Sequence, residues 1–236
     1  MRTLNKRGGV MIHSGSRNFG LKIAKHYNKL AQDLCTQYHS IVCPFKGEDG
    51  LAFLPHGSDI ALEYITAMNY ALDFALENRQ MMMRRVARIL SVSNDCINIH
   101  HNYAIMENHF GKNVWIHRKG ATSAREGELG IIPGSMGTPS YIVEGLGNSD
   151  SYQSCSHGAG RCMGRMQASR ELDVEDCDKA MEGIVHGRWG KNRKGDVDLS
   201  EAPGAYKDID VVMEAQKDLV KIVTKLRPLA VLKDEK

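Results

Sequence analysis

Residues 114–145, VWIHRKGATSAREGELGIIPGSMGTPSYIVEG, alternate short apolar segments with glycine-rich turns. Segments such as VWIH and YIVEG are rich in β-branched and aromatic residues, which favour strands, and the glycines between them favour turns. The stretch therefore predicts several short strands joined by tight loops. The class of the fold then depends on what lies on either side of it.

Helical periodicity predominates on both sides of this stretch. Ser58 or Asp59 can cap a long helix whose apolar stripe runs from Ala61 to Ile89. We also predict helices over about 20–39, 167–185 and 208–224, and short strands at 9–13 and 230–232. Helices and strands mix without a regular βαβ alternation, so the expected class is α+β, with mixed sheets flanked by helices, in one domain over residues 1–236.

Composition excludes few classes of protein. Hydrophobic residues make up 42% of the 236 residues, charged residues make up 25%, and the net charge is +3, which neither requires nor forbids a nucleic-acid partner. No apolar run is long enough to span a bilayer, and MRTLNKRGGV lacks the apolar core of a signal peptide. None of the six cysteines forms a C-x-x-C pair, which argues against a zinc ribbon or a thioredoxin-type redox site. With no export signal, we expect reduced thiols in the cytoplasm and no membrane partner.

Segments rich in glycine, histidine and arginine recur along the chain. They are HSGSRNFG (13–20), NIHHNYA (98–104), HRKGATSAREG (117–127), PGSMGTPSY (133–141) and SCSHGAGR (154–161). Small residues let backbone N–H groups approach an anion, arginine suits phosphate, and imidazole suits metals or nucleophilic attack. Each segment alone is equally compatible with a polar turn, but together they indicate a metal and phosphate site.

The chemistry of the individual side chains leaves alternatives open at this point. His157 lies among small residues, with Arg161 four positions later, and is a candidate metal ligand, general base or nucleophile. His100 and His101 cannot both face one site from a strand, because neighbouring side chains point to opposite faces. The basic segment with Arg118 and Arg125 suits phosphates or is a solvated turn.

Taken in order, these blocks resemble the RtcB RNA ligases over nearly the whole chain, together with EAPGAYKDID and LRPLAVLK towards the end. The IIPGSMG and SHGAGR blocks are the most specific. The resemblance implies an enzyme that joins an RNA 3′-phosphate or 2′,3′-cyclic phosphate end to a 5′-hydroxyl end, in tRNA splicing or RNA repair. It also implies use of GTP and Mn(2+) and passage through a guanylylated histidine.

The family's functional positions carry over residue by residue. The resemblance makes His157 the nucleophile and makes His13 and His101 manganese ligands, because the family's ligand directly precedes asparagine. The positions that it assigns to the guanylate pocket are His101, Asn102, Pro133, Gly134, Ser135, Met136, Ser140, His157, Gly158, Ala159, Gly160, Tyr206 and Lys233. Lys233 is followed by Asp234, whereas the family commonly ends in lysine-glycine.

Two motifs that the resemblance implies are absent from these 236 residues. They are a D-x-G-C-G-type motif, which supplies an aspartate and a cysteine to the metal, and a G-x-G-N-H-type motif, which supplies a histidine. We therefore expect the C-terminal portion of an RtcB-like catalytic domain without the N-terminal part of the family fold. The alternative is a non-catalytic fragment that binds guanine nucleotide or RNA ends, and the expected further partners are the other half or an activating protein.

Overall fold

The computed structural model of the protein describes residues 8–40, 51–91, 96–192 and 195–233. Contacts between residues fall into two compact units, Met1–Asn98 and Ile99–Lys236. Both helices and small sheets are present, which agrees with the predicted mixture of elements. The assignment of residues 1–236 to a single catalytic domain stays a prediction.

The first unit contains two helices, α1 (Phe19–Gln37) and α2 (Asp59–Leu90). Both were predicted, and the Ser58 side chain caps α2 by accepting a hydrogen bond from the Ala61 N–H. The ring of Phe19 meets that of Tyr70 edge-on, with centroids 5.7 Å apart. Residues 51–57, which precede the cap of α2, contain no helix or strand, and residues 41–50 lie outside the described part.

The strand predicted at 9–13 is wrong, because residues 8–15 have no regular secondary structure. A strand needs a neighbour to satisfy its backbone hydrogen bonds, and the described residues of this unit contain no other strand. The segment is instead held to α2 by side chains. Asn78 donates to the Ser14 hydroxyl at 3.1 Å, and Arg79 donates to the Ser14 carbonyl at 3.2 Å.

The second unit is built from short strands. A hairpin pairs β1 (Asn102–His109) with β2 (Lys112–Lys119), turning at Phe110 and Gly111, which both have positive φ. The other strands are β3 (Ala121–Ser123), β4 (Leu129–Ile132), β5 (Ser140–Gly145), β6 (Ser154–Ser156), β7 (Val185–His186), β8 (Val220–Leu226) and β9 (Ala230–Val231). Strand β3 pairs with β6, strands β4, β5 and β8 form an antiparallel sheet in that order, and β7 pairs with β9 in parallel.

Two helix predictions need correction in this unit. The predicted helix over 167–185 is two short helices, α3 (Arg165–Glu171) and α4 (Val174–Ala180), because Asp173 starts a new helix by capping it. The predicted helix from Asp208 to Thr224 is only α5 (Ile209–Glu214), followed by strand β8. Its second half is rich in β-branched residues, and pairing with β5 outweighs the helical spacing of its apolar residues.

The main core of this unit is formed by residues of the three-stranded sheet, of α5 and of the segment around β6. Ile132, Tyr141 and Val143 from the sheet pack with Ile209 of α5 and with Ala159, which follows β6. A second cluster joins Cys177 of α4 to Leu199 and Ala202. Because Ala159 belongs to the main core, the SHGAGR segment is fixed by packing rather than left as a surface loop.

An ion pair is buried in the hairpin. The side chains of Arg118 and Glu107 are 1% and 7% exposed, and two of their hydrogen bonds are 2.9 Å long. Burial alone would raise the pKa of Glu107, but hydrogen bonds from Arg118, His109 and Arg125 outweigh it and lower that pKa to about 2. Arg118 is therefore neither the phosphate contact nor the solvated charge that the sequence suggested.

We expect Glu107→Ala to lower the free energy of unfolding by about 3 kcal/mol, because it leaves the Arg118 charge buried without its partner. The contribution of Glu107 is present above its ordinary pKa of 4.5 and is lost as the pH falls towards 2. Urea unfolding at several pH values measures it. The control is Glu182→Ala, an exposed carboxylate, and equal losses in both variants would contradict the assignment.

Candidate functional site

Backbone hydrogen bonds join three segments of the second unit at the SHGAGR block. The Ala159 N–H donates to the Pro133 carbonyl at 2.9 Å, which connects this block to the loop after β4. The Lys207 N–H donates to the Gly160 carbonyl at 3.0 Å, which connects it to the EAPGAYK segment. Three segments that are far apart in sequence therefore meet at one place, and each contains predicted site residues.

His157 lies directly after β6 and is half-buried. The backbone N–H of His157 donates to the Gly120 carbonyl at 3.4 Å. This hydrogen bond lies next to the Ala121–Ser156 pair, at one end of the β3–β6 ladder. Gly120 has a φ of +74°, and a methyl group there would lie 3.8 Å from two atoms of the imidazole ring. The turn that begins β3 thus forms one wall beside the His157 ring.

The rings of the two adjacent histidines have different neighbours. The His101 ring stacks on the His157 ring, with centroids 5.1 Å apart and an interplanar angle of 28°. The His100 ring instead meets Tyr103 edge-on at 6.3 Å. The predicted pair His101 and His157 is therefore brought together, and Asn102, the first residue of β1, is exposed beside it.

The loop after β4 is held by its own hydroxyl groups. Ser140 accepts from the Gly134 N–H at 3.2 Å, and Thr138 accepts from the Ser135 N–H at 2.6 Å. The Ser135 hydroxyl accepts from the Gly137 N–H at 3.3 Å. These N–H groups were predicted as donors to a ligand, but here they brace the loop. Met136 lies half-buried in the same loop.

A carboxylate that is not among the predicted site residues connects the last two of them, Tyr206 and Lys233. Glu201 accepts from the Tyr206 hydroxyl at 2.5 Å and pairs with the Lys233 ammonium at 3.0 Å. Burial would raise the pKa of Glu201, but hydrogen bonds from Tyr206, Lys233 and Arg165 lower it to about 2. Burial and the hydrogen bond to Glu201 raise the pKa of Tyr206 to about 12. The only signal in the sequence was the position of Glu201 at the start of EAPGAYKDID.

Arg161 packs on the same tyrosine. Its guanidinium lies 5.0 Å from the centre of the Tyr206 ring, and it donates to the Ser200 carbonyl at 2.6 Å. The backbones of Arg161 and Tyr206 also pair as an isolated antiparallel bridge. The arginine of SHGAGR therefore holds the EAPGAYK segment against the histidine-bearing block.

The two predicted metal ligands, His13 and His101, lie in different units. His13 is exposed and belongs to the first unit, whereas His101 belongs to the second. Within the described ranges, no group of three or more histidine, cysteine, aspartate or glutamate side chains is placed to hold a metal ion. The roles of His13 and His101 as ligands stay predictions. The described cysteines, Cys35, Cys96, Cys155, Cys162 and Cys177, are free thiols, and Cys43 lies outside the described residues.

Comparison with known proteins identifies the class. The family described as tRNA-splicing ligase RtcB matches residues 5–234, which is nearly the whole chain. The chain therefore belongs to the RtcB family.

Several curated relatives carry the family's name. The RNA-splicing ligase RtcB of Escherichia coli (strain K12) is 40% identical over 236 residues, covering 95% of this chain and 55% of that protein. The tRNA-splicing ligase RtcB of Pyrobaculum aerophilum is 34% identical over 258 residues, covering 95% and 52%. The RNA-splicing ligase RtcB of Mycobacterium tuberculosis is 32% identical over 250 residues, covering 95% and 56%. The chain thus spans about half the length of these relatives.

The loop after β4 should not tolerate a side chain at Gly134. A methyl group there would lie 2.1 Å from the Pro139 carbonyl oxygen and 2.5 Å from the Thr138 hydroxyl. We expect Gly134→Ala to lower the free energy of unfolding by about 1–3 kcal/mol, as overpacking does. Gly187→Ala, which would meet no atom within 4 Å, is the control in urea unfolding. A Gly134→Ala variant as stable as this control would show that the loop is not braced in this way.

Proposed function

We propose that this chain carries the guanylylation site of a GTP- and manganese-dependent RNA ligase, with His157 as the nucleophile. The ligase joins an RNA 3′-phosphate or 2′,3′-cyclic phosphate end to a 5′-hydroxyl end. The observation that carries the proposal is the position of His157, which is half-buried beside Gly120 and stacked on His101 at 5.1 Å. Membership of the RtcB family and the printed names of the relatives support it.

The chemistry needs a neutral imidazole with one nitrogen directed at phosphorus. In the proposed first step this nitrogen attacks the α-phosphorus of GTP, a nitrogen–phosphorus bond forms, and pyrophosphate leaves. At a 2′,3′-cyclic phosphate end, water must first add to phosphorus and release the 2′-oxygen, which leaves a 3′-phosphate. The RNA 3′-phosphate then takes the GMP group, which frees His157. Finally the 5′-hydroxyl oxygen attacks the activated RNA end, and GMP leaves. GTP is consumed in this sequence and is therefore a substrate.

The guanosine pocket is proposed to lie where the three segments meet. Its proposed walls are the loop with Pro133, Gly134, Ser135, Met136 and Ser140, and the segment with Gly158, Ala159 and Gly160. Tyr206 and Lys233 complete it, and Asn102 lies next to His101. Support comes from the Ala159–Pro133 and Lys207–Gly160 hydrogen bonds, which hold these segments side by side. A braced pocket loses little conformational freedom on binding.

The described residues offer part of a manganese site. Imidazole is a usual ligand for divalent transition metals, and we propose His101 as a donor supplied by the second unit. A ligand role for His13, in the first unit, stays what the resemblance implies. A bound manganese ion would neutralise phosphate charge. The resemblance assigns the other donors to motifs that these 236 residues do not contain. In the part that the structure describes, no group of three donors is assembled.

The second candidate function is a guanylate-binding or RNA-end-binding fragment that does not catalyse ligation alone, because the motifs to which the resemblance assigns the other metal donors are absent from these 236 residues. Both candidates use the same pocket, and they differ in whether a covalent bond to His157 forms. For either function we propose a cytoplasmic location. Among the described residues, no helix is both long and apolar enough to cross a membrane.

Labelling with radioactive GTP tests the nucleophile. We expect the chain, expressed together with the unmatched part of the Escherichia coli relative, to acquire an acid-labile GMP label in the presence of manganese. His157→Ala should reduce the label to background, because the proposal assigns the attacking nitrogen to His157, whereas the exposed His117→Ala control should keep it. Label that survives His157→Ala would sink the assignment, and binding of GTP without label would favour the second candidate.

Manganese binding tests the choice between the adjacent histidines. We expect His101→Ala to weaken manganese affinity by about tenfold or more, the size of loss that ligand-shell changes produce. His100→Ala should change it little, because the His100 ring lies against Tyr103. Electron paramagnetic resonance of free Mn(2+) in the same complemented protein measures both. Equal losses would mean that the stacking on His157 does not mark the ligand.

A further inference from the structure

We infer that Glu201 is a positioning residue that holds Tyr206 and Lys233 in one arrangement and thereby sets the affinity and base selectivity of the guanosine pocket. The inference rests on the proposed function, because it takes these two side chains as part of that pocket. It adds a residue to which neither the resemblance nor the comparisons assign a role.

The two oxygens of the carboxylate have different partners. Oε2 accepts from the Tyr206 hydroxyl at 2.5 Å and from the Lys233 ammonium at 3.0 Å. Oε1 lies 3.1 Å from Arg165 Nε and 3.5 Å from an Arg161 guanidinium nitrogen. One oxygen therefore joins the two proposed pocket side chains, and the other anchors the carboxylate to α3 and to the SHGAGR block. Charge-assisted bonds of this kind are stronger than neutral ones.

Lys233 depends on this contact because little else holds the end of the described chain. Strand β9 has only two residues, Ala230 and Val231, and the Leu232 that follows is 96% exposed. The backbone around Lys233 is therefore held by a short parallel pairing with β7, whereas its ammonium is held by Glu201, 32 positions away in sequence. A lysine on a flexible stem needs such a partner to keep one geometry.

Removal of Glu201 should have opposite effects on nucleotide binding depending on whether the carboxylate positions its partners or only neutralises their charge. Three cations, Arg161, Arg165 and Lys233, surround this single carboxylate, so the cluster has a formal charge of +2. If Glu201 only neutralised them, its removal would raise the affinity for every phosphate ligand, most strongly at low salt. If it positions Tyr206 and Lys233, its removal lowers the affinity for guanosine ligands in particular.

The ligand-free test uses nuclear magnetic resonance of the 236-residue chain labelled with ¹³C in tyrosine and lysine. Tyr206→Phe and Lys233→Met identify the two signals. In Glu201→Gln we expect the Lys233 signal to move towards that of a freely rotating lysine and the Tyr206 signal to shift. Glu171→Gln, an exposed carboxylate on α3 paired with Arg170, is the matched control and should leave both unchanged. Unchanged signals in Glu201→Gln would overturn the inference.

The binding test measures the affinities of GMP and AMP at two salt concentrations by calorimetry. We expect Glu201→Gln to weaken GMP binding by roughly tenfold, the loss typical of one charge-assisted contact, and to leave AMP binding nearly unchanged. Lys233→Met should weaken GMP binding similarly. The double variant should be no weaker than either single one, because the two residues act as one unit. Lys233 is exposed, so that variant should fold even if a Glu201 variant does not.

The outcomes separate the inference from the proposed function. If the unsubstituted chain binds no GMP, the proposed pocket fails and the inference fails with it. If that chain binds GMP selectively and Glu201→Gln binds it equally well or more tightly, the pocket stands and the inference alone is overturned. Additive losses in the double variant would also overturn it, since Glu201 would then not act through Lys233.

Discussion

A buried guanidinium connects the strands that carry the two stacked histidines. Arg118 on β2 donates to the hydroxyl of Ser154, the first residue of β6, at 3.0 Å. It also donates to the carbonyl of Tyr152, just before β6, at 3.2 Å. Strand β6 ends directly before His157, and β1, the partner of β2, begins directly after His101. A charge that is 1% exposed requires a counter-charge, and Glu107 supplies it. The hairpin and β6 are therefore connected by the hydrogen bonds of Arg118, whose charge is balanced by Glu107. The stacked histidines lie at the ends of these elements.

Around this frame, backbone hydrogen bonds place the glycine-rich segments, and side-chain charges hold their outer parts. The bonds from Ala159 to Pro133 and from Lys207 to Gly160 need no particular side chain, but they need close approach. Glycine allows this approach, as the space around Gly134 shows: a methyl group there would overlap the Pro139 carbonyl. Glu201 then ties Tyr206 and the Lys233 end together. Backbone geometry thus brings the segments together, and one carboxylate orders the side chains at their edge.

Much of this could be predicted, and the errors share a physical cause. The long helix α2 and its Ser58 cap follow from local periodicity and capping chemistry, so they were predictable. The helix predicted from Asp208 to Thr224 was wrong in its second half, because Ile222 lies opposite Val143 in the sheet and only the fold supplies that partner. The strand predicted at 9–13 was wrong for the converse reason, since the described residues of its unit provide no strand to pair with. Local preference is weak compared with pairing and burial.

The sequence by itself determined the family, the order of the glycine-rich blocks and the candidate residues within them, because these are properties of residue type and spacing. Family membership over residues 5–234 agrees with that prediction. Only the tertiary structure decided that Arg118 is buried on Glu107, that His101 rather than His100 stacks on His157, and that Glu201 joins Tyr206 to Lys233. Each of these contacts depends on distances between residues that are remote in sequence or on the direction in which a strand presents its side chains. Residue spacing along the chain carries neither kind of information.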